Sequence, residues 1–190
     1  MRKRRLAIIA GLIVFASPAV LGQKFVSDYT PAPSGRPTNP VVRLNTQVAS
    51  VGSQVNENEN TCQSWTVPAN TLAGDGQSIR ITAHGYLNPN GHPKTMRLYW
   101  GPTLLIATHA ASTSTQFEME AVVTRIGRGG QGGFGKSFTG NTGTTTVLSN
   151  RISGAQDETQ PIVIRATTQV TSAGAVNEAK CDVLLVEFMP

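Results

Sequence analysis

The chain has 190 residues, which is enough for one domain with its own hydrophobic core. It carries 16 basic and 11 acidic residues, but four of the basic residues lie at positions 2–5, where there is no acidic residue. Without that leader the formal net charge falls from +5 to +1, which excludes the broad basic surface of a nucleic-acid-binding domain.

The N-terminus has the layout of a secretory signal peptide. The basic residues precede an apolar run from Leu6 to Phe15, and small residues follow, with candidate cleavage sites after Ala19 and Gly22. The apolar run is shorter than the roughly 20 residues that a membrane-spanning helix needs. We assign residues 1–22 to a signal peptide, with an uncleaved N-terminal anchor as the alternative, and expect an exported protein.

Residues 23–40, with the sequence QKFVSDYTPAPSGRPTNP, follow the leader. Four prolines and few apolar residues predict an extended, flexible arm and not a packed element. From residue 41 onward the composition changes to Thr, Val, Ile, Ser, Gly and Asn. We therefore expect one folded domain over residues 41–190.

Strand signals recur along this domain. Apolar and polar residues alternate with a period of two in SIRITAHGYL, KTMRLYW, QFEMEAVVTR and PIVIRATTQV, and turn-forming stretches separate these segments. Clusters of strong helix formers are rare. One dry and one polar face per strand is typical of antiparallel sheets. The sequence predicts an all-β fold, an antiparallel, jelly-roll-like β-sandwich of about eight to ten strands.

Residues 130–137, GQGGFGKS, match the phosphate-loop pattern G-x-x-x-x-G-K-[ST], in which Lys136 would bind phosphate and Ser137 magnesium. A working phosphate loop is followed by a helix, whereas KSFTGNTGTTTVLSN is rich in threonine and glycine and disfavours one. We therefore predict no NTPase activity. We interpret Gly127 to Gly135 as a long, mobile connection between two strands.

The sequence offers no convincing catalytic or metal-binding group. His84, His92 and His109 are not spaced as metal ligands on one element. Glu118 and Glu120 share one face of a predicted strand, as a glycosidase carboxylate pair could, but a solvated outer face is the commoner explanation. We predict a protein that is not an enzyme, with no catalytic residues, no cofactor and no metal.

A binding face is suggested by residues on the polar phase of two strands. Tyr86 and Tyr99 alternate there with Arg80, His84 and Arg97. If the two strands are neighbours, these five side chains form one exposed aromatic and basic face. Such a face could bind a glycan, and an ordinary wet sheet surface is the alternative.

The two cysteines, Cys62 and Cys181, admit two explanations. They could pair as a disulfide in an exported protein, or remain buried thiols. Cys181 opens the final run, CDVLLVEFMP, which is apolar on both phases. A central strand would have this pattern, and so would a strand whose outer face is a subunit contact. Val183 and Leu185 are the candidate assembly contacts.

The order of the segments over residues 61–190 resembles that of jelly-roll (β-sandwich) virion-associated structural proteins of tailed phages and related phage-like proteins. The resemblance lies in SWTVPANTLAGDGQSIRITAHGYL, KTMRLYWG, LLIATHA, FEMEAVVTRIG and DVLLVEFMP, taken in that order. It implies an assembly or surface module, often a homo-oligomer, with no catalytic residues. We therefore expect a structural protein of a virion or cell surface, whose partners are itself or other virion or surface proteins. A secreted carbohydrate-binding module is the alternative.

Overall fold

The computed structural model describes residues 41–53, 57–110, 115–141, 144–154, 156–171 and 175–190. The predicted signal peptide and arm lie outside the described residues. Ten strands occupy the described ranges: β1 (Val42–Gly52), β2 (Asn60–Val67), β3 (Ser78–Leu87), β4 (Lys94–Trp100), β5 (Thr103–Ala110), β6 (Gln116–Gly127), β7 (Gly130–Asn141), β8 (Thr144–Gly154), β9 (Ile162–Val170) and β10 (Ala179–Met189). Within these ranges there is no helix of the length and apolarity required to cross a membrane.

The strands form two antiparallel sheets. One has six strands in the order β1-β10-β3-β6-β7-β8, and the other has four in the order β2-β9-β4-β5. The predicted all-β antiparallel sandwich is thereby confirmed. Without the β7–β8 hairpin, the two orders are those of an eight-stranded jelly roll, with the first and last strands paired. The hairpin widens one sheet at its edge.

The core lies between the two sheets and follows the period-two pattern of the sequence. Successive side chains of a strand point to opposite faces of the sheet. The apolar side chains, which occupy every second position of each strand, therefore all point into the space between the sheets. The fully buried side chains include Ile79, Ile81 and Leu87 of β3, Met96, Leu98 and Trp100 of β4, Met119 of β6, Ile164 of β9 and Leu184 of β10. Burial of such side chains stabilises the fold by about 1.5–3 kcal/mol each.

A disulfide connects the two sheets across this core. Cys62 of β2 and Cys181 of β10 are bonded, with their Cα atoms 5.7 Å apart, and both residues are buried. That separation is ordinary for a disulfide. Because one cysteine belongs to each sheet, the bond fixes the sheets to one another and not merely two neighbouring strands.

The glycine-rich segment from Gly127 to Gly135 is not the mobile connection that the sequence suggested. Only a two-residue turn separates β6 from β7, and most of the segment lies inside these paired strands. The glycines permit close packing: a Cβ at Gly133 would collide with the Val122 carbonyl oxygen, and one at Gly135 would lie 3.2 Å from Ile106 Cβ. At Gly133 and Gly135 the small residue satisfies a packing requirement, which composition alone does not distinguish from loop flexibility.

The phosphate-loop match also falls within β7. Lys136 and Ser137 are consecutive strand residues and therefore point to opposite faces of the sheet. Lys136 Nζ lies 3.4 Å from Glu120 Oε1 on the outer surface, whereas Ser137 is fully buried. A phosphate loop needs both side chains at one ligand, so this geometry is not that of a phosphate loop.

Candidate functional site

The outer surface of the six-stranded sheet gathers most of the residues that the sequence singled out. Strand register aligns these residues in three adjacent rows. We call the surface formed by these three rows the wide face. The first row contains Val48, Val183, His84, Glu118 and Phe138, and the second contains Thr46, Leu185, Thr82, Glu120 and Lys136. The third row contains Arg43, Glu187, Arg80, Val122 and Phe134.

An apolar strip crosses the β1 side of the wide face. Val48 of the edge strand is 75% exposed and lies directly opposite Val183. Val183 and Leu185 are half-buried, because β10 lies between β1 and β3 and is partly covered by their side chains. The two candidate assembly contacts therefore belong to an outward-facing apolar surface of a central strand.

The charges on the wide face are paired across strands. Arg80 Nε lies 2.8 Å from Glu187 Oε2, and Lys136 Nζ lies 3.4 Å from Glu120 Oε1. Exposed pairs of this kind stabilise a fold by no more than about 1 kcal/mol each. Their effect on recognition is larger, since a surface whose cations are matched by anions does not repel a second copy of itself.

A depression of about 300 Å³ lies at one end of the wide face. Its walls include an imidazole, an amide, a carboxylate, a hydroxyl and an aromatic ring, supplied by His84, Gln116, Glu118, Thr139 and Phe138. Tyr86 lies two residues beyond His84 in β3, directly opposite Gln116, and is 45% exposed. Hydrogen-bonding groups beside aromatic rings suit a small, hydroxyl-rich ligand.

The predicted aromatic and basic face is not one surface. Since β3 and β4 belong to different sheets, Arg80, His84 and Tyr86 lie on the wide face. Arg97 and Tyr99 lie on the outer surface of the four-stranded sheet, at the opposite side of the sandwich. The prediction that all five lie together is wrong, because alternation shows which face of its own sheet a residue occupies but not which sheet its strand joins.

Around Tyr99, the four-stranded sheet carries a polar network that we call the narrow-face cluster: Glu59, Arg97, Tyr99, Arg165, Thr167 and Gln169. Thr167 Oγ1 donates to Glu59 Oε1 at 2.6 Å, and Arg97 Nη1 lies 3.1 Å from Glu59 Oε2. The Arg165 guanidinium lies 4.8 Å from the centre of the Tyr99 ring. The ring is therefore already stacked against a cation, which removes Tyr99 as a free platform for a ligand.

Ionisation is shifted within the narrow-face cluster. Partial burial raises the pKa of Glu59, but hydrogen bonds from Thr167 and Tyr99 and the nearby charges of Arg97 and Arg165 outweigh it and lower the pKa. Burial, followed by the hydrogen bond to Glu59, raises the pKa of Tyr99. The carboxylate is thus held charged and the phenol protonated. Sequence reasoning missed Glu59 and Arg165, since only the sheet order brings them to Tyr99.

A broader hollow of about 500 Å³ lies near one end of the four-stranded sheet. Pro102, Pro161 and Val163 contribute to its lining, together with Gln156 and Arg165. Its accessible surface is largely apolar, and Arg165 is already engaged with the Tyr99 ring. The wide-face depression therefore offers a ligand the more polar lining.

The remaining candidates for chemistry are dispersed. In the part of the chain that the structure describes, no three or more His, Cys, Asp or Glu residues gather as a metal site. His92 Nδ1 lies 2.9 Å from Glu178 Oε2, and His109 lies in β5 opposite Thr95. Glu118 borders the depression, whereas Glu120 is paired with a lysine.

Comparisons with known proteins show little close similarity. No protein-family model matches the chain, and no curated protein sequence matches it. Among solved structures, it is similar to the CBM2 module of Lactobacillus casei BL23 phage J-1 evolved Dit, with a TM-score of 0.36 and 10% sequence identity. That match covers 66% of this chain and 68% of the other. So slight a likeness assigns neither a family nor a residue role.

Proposed function

We propose that the protein is a non-enzymatic structural subunit of a virion or of an exported surface assembly, and that its wide face contacts a second copy of the chain. The observation that carries the proposal is the apolar strip of Val48, Val183 and Leu185 beside matched cross-strand ion pairs. The predicted leader supports export. The wide face thus combines apolar area with internally matched charge.

The energetics of the strip suit a reversible subunit contact. Full burial of an exposed valine or leucine side chain is worth about 1.5–3 kcal/mol. Val183 and Leu185 are already partly buried and gain only a fraction of that free energy. Val48, at 75% exposed, has the most to gain. A two-fold contact would use the strip twice, because each subunit presents the same surface to its partner.

The arm supplies a second element of the proposed assembly. Residues 23–40 directly precede β1, which is an edge strand of the six-stranded sheet and lies beside β10. An arm at this position can reach a neighbouring subunit, since 18 extended residues span up to about 60 Å. We expect deletion of residues 23–40 to weaken assembly while the sandwich remains folded.

Substitution on opposite faces tests the proposed contact. In residues 23–190, Val48→Asp and the pair Val183→Asp with Leu185→Lys should shift sedimentation toward the monomer, because charges would be buried in the contact. The matched control is Leu104→Lys with Val163→Asp, at two residues of the four-stranded sheet that are 43% and 41% exposed. An equal shift in the control, or unchanged sedimentation for folded Val48→Asp, contradicts the proposal.

A carbohydrate-binding role is the second candidate, and the wide-face depression favours it. Tyr86 and Phe138 would supply aromatic contacts, and Gln116, Glu118 and His84 would hydrogen-bond sugar hydroxyls. On a glycan array, Tyr86→Ala should abolish a signal that Tyr99→Ala retains, since the Tyr99 ring is occupied by a guanidinium on the other sheet. Absence of any glycan signal for the parent protein removes this candidate.

A further inference from the structure

Strand β8 forms one edge of the six-stranded sheet. On its inner side it pairs with β7 over its whole length, from Thr144 opposite Asn141 to Gly154 opposite Gln131. Within the described ranges no strand pairs with its other side, where the sheet ends. In an antiparallel sheet, alternate residues direct their backbone N–H and C=O groups to the same side. Every second residue of β8 therefore presents both groups to a further strand.

The other three sheet edges are interrupted by irregularities, whereas β8 is regular. The register between the edge strand and its neighbour shifts twice in β1, once in β2 and once in β5. Proteins use such bulges, together with prolines and lysines, to block pairing at exposed edges. β8 pairs with β7 over eleven consecutive residues without a shift, and its sequence contains neither proline nor lysine. Among the described edge strands, β8 alone lacks these protections.

The sequence of β8, TTTVLSNRISG, suits a strand that is paired on both sides. Five of its eleven residues are β-branched, namely Thr144, Thr145, Thr146, Val147 and Ile152. Arg151 is its only charged residue, so β8 offers little charge by which to select a foreign strand. The same strand of a second copy has an equal length, and antiparallel pairing of two identical strands obeys a two-fold axis. These features favour a second copy of this chain as the partner.

We propose that β8 pairs with β8 of a second copy, antiparallel and about a two-fold axis at Ser149. All eleven residues are then paired, and Val147 lies opposite Arg151 of the second copy, which keeps the two arginines apart. The two six-stranded sheets join into one sheet of twelve strands. Because the axis is perpendicular to the sheet, both wide faces lie on the same side of it. The edge pairing uses a different surface from the proposed wide-face contact and does not rest on it.

Sedimentation equilibrium of the protein expressed from the full-length chain tests this pairing. Val48→Asp, near the opposite edge of the sheet, removes the wide-face contact and should leave a dimer. Adding Val147→Lys should raise the dissociation constant of that dimer by more than about tenfold, because each lysine faces Arg151 of the second copy. Adding Arg151→Glu to this double variant should restore the dimer. As the matched control, Val48→Asp with Arg151→Glu should remain a dimer.

The restoration separates a contact between copies from an effect within one chain. Positions 147 and 151 lie about 13 Å apart along one strand, too far for their side chains to pair with each other. Circular dichroism checks that each variant is folded. If Val147→Lys loses its β-sheet spectrum, amide hydrogen exchange of the Val48→Asp protein decides. Protection of consecutive amides in β8 supports the pairing, and protection of alternate amides only overturns it.

Two results in sedimentation overturn the pairing. One is a folded Val48→Asp protein that is monomeric at every concentration while the parent protein associates, which leaves the wide-face contact standing. The other is a Val48→Asp dimer that Val147→Lys does not weaken, or that Arg151→Glu does not restore. If Val48→Asp instead leaves the mass of the parent unchanged and Val147→Lys abolishes association, the edge pairing stands and the wide-face contact fails.

Discussion

At the residue scale, buried carboxylates show best how this protein combines charge with an apolar interior. Glu158 has a side chain 7% exposed and accepts hydrogen bonds from Gln131 Nε2 at 2.8 Å and the Gly129 backbone N–H at 3.0 Å. Burial raises the pKa of Glu158, but these hydrogen bonds and the charge of Arg125 outweigh it and lower the pKa. The folded state therefore prefers the carboxylate, and Glu158 ties the β6–β7 turn to the segment before β9.

This arrangement predicts an acid-sensitive contribution to stability. Because the folded pKa of Glu158 lies below its unfolded value, the stabilisation is present above the unfolded pKa and is lost as the pH falls through the folded pKa. Glu158→Gln should reduce the free energy of unfolding by about 1–3 kcal/mol near pH 7, and by less near pH 3. Urea denaturation at both pH values measures this difference, with exposed Glu118→Gln as the control. An equal loss at both values contradicts the assignment.

At the element scale, the sequence predicts strands and their dry faces well but sheet membership poorly. The alternation in β3 and β4 places Ile79 and Leu98 inward and Arg80 and Tyr99 outward, as the structure has them. It carries no information on which sheet each strand joins, which depends on long-range pairing. The glycine-rich run was misjudged for a related reason, since its close approach to Val122 becomes visible only when β6 and β7 pair.

Two neighbouring glycines of β7 provide a test of that packing. Gly133→Ala should destabilise the protein by about 1–3 kcal/mol, because the added methyl would collide with the Val122 carbonyl oxygen and push β7 from β6. Gly132→Ala adds the same methyl 3.6 Å from Ile126 Cδ1, an ordinary contact, and should change the free energy of unfolding by less than about 0.5 kcal/mol. Chemical denaturation of both variants decides whether space or flexibility explains these glycines.

At the scale of the whole molecule, a jelly roll joins its sheets through crossing connections, and the disulfide adds one covalent bond between them. Cys62 and Cys181 are 119 residues apart in sequence, so the bond closes a long loop of the unfolded chain. Cys62→Ser with Cys181→Ser should lower the free energy of unfolding by roughly 2–5 kcal/mol. Thermal unfolding of this variant and of the parent protein gives the comparison, and equal midpoints would contradict a structural role for the bond.

Spacing in the sequence was compatible with either paired or free cysteines. Pairing depends on β2 and β10 facing one another across the core, which no local pattern specifies. The apolar strip was more accessible to sequence reasoning, because Val183 and Leu185 occupy one phase of a strand that is apolar on both. Their neighbour Val48 was missed, since its position depends on the pairing of β1 with β10.

Assembly of this chain through its wide face can be tested by measuring the molar mass of residues 23–190 in solution. Light scattering coupled to size-exclusion chromatography should give a mass that rises with concentration to a whole multiple of the monomer mass. Val48→Asp should shift that rise to higher concentration without altering the circular dichroism spectrum of the sandwich. A monomer mass at every concentration, for a folded parent protein, would show that the wide face does not join copies of the chain.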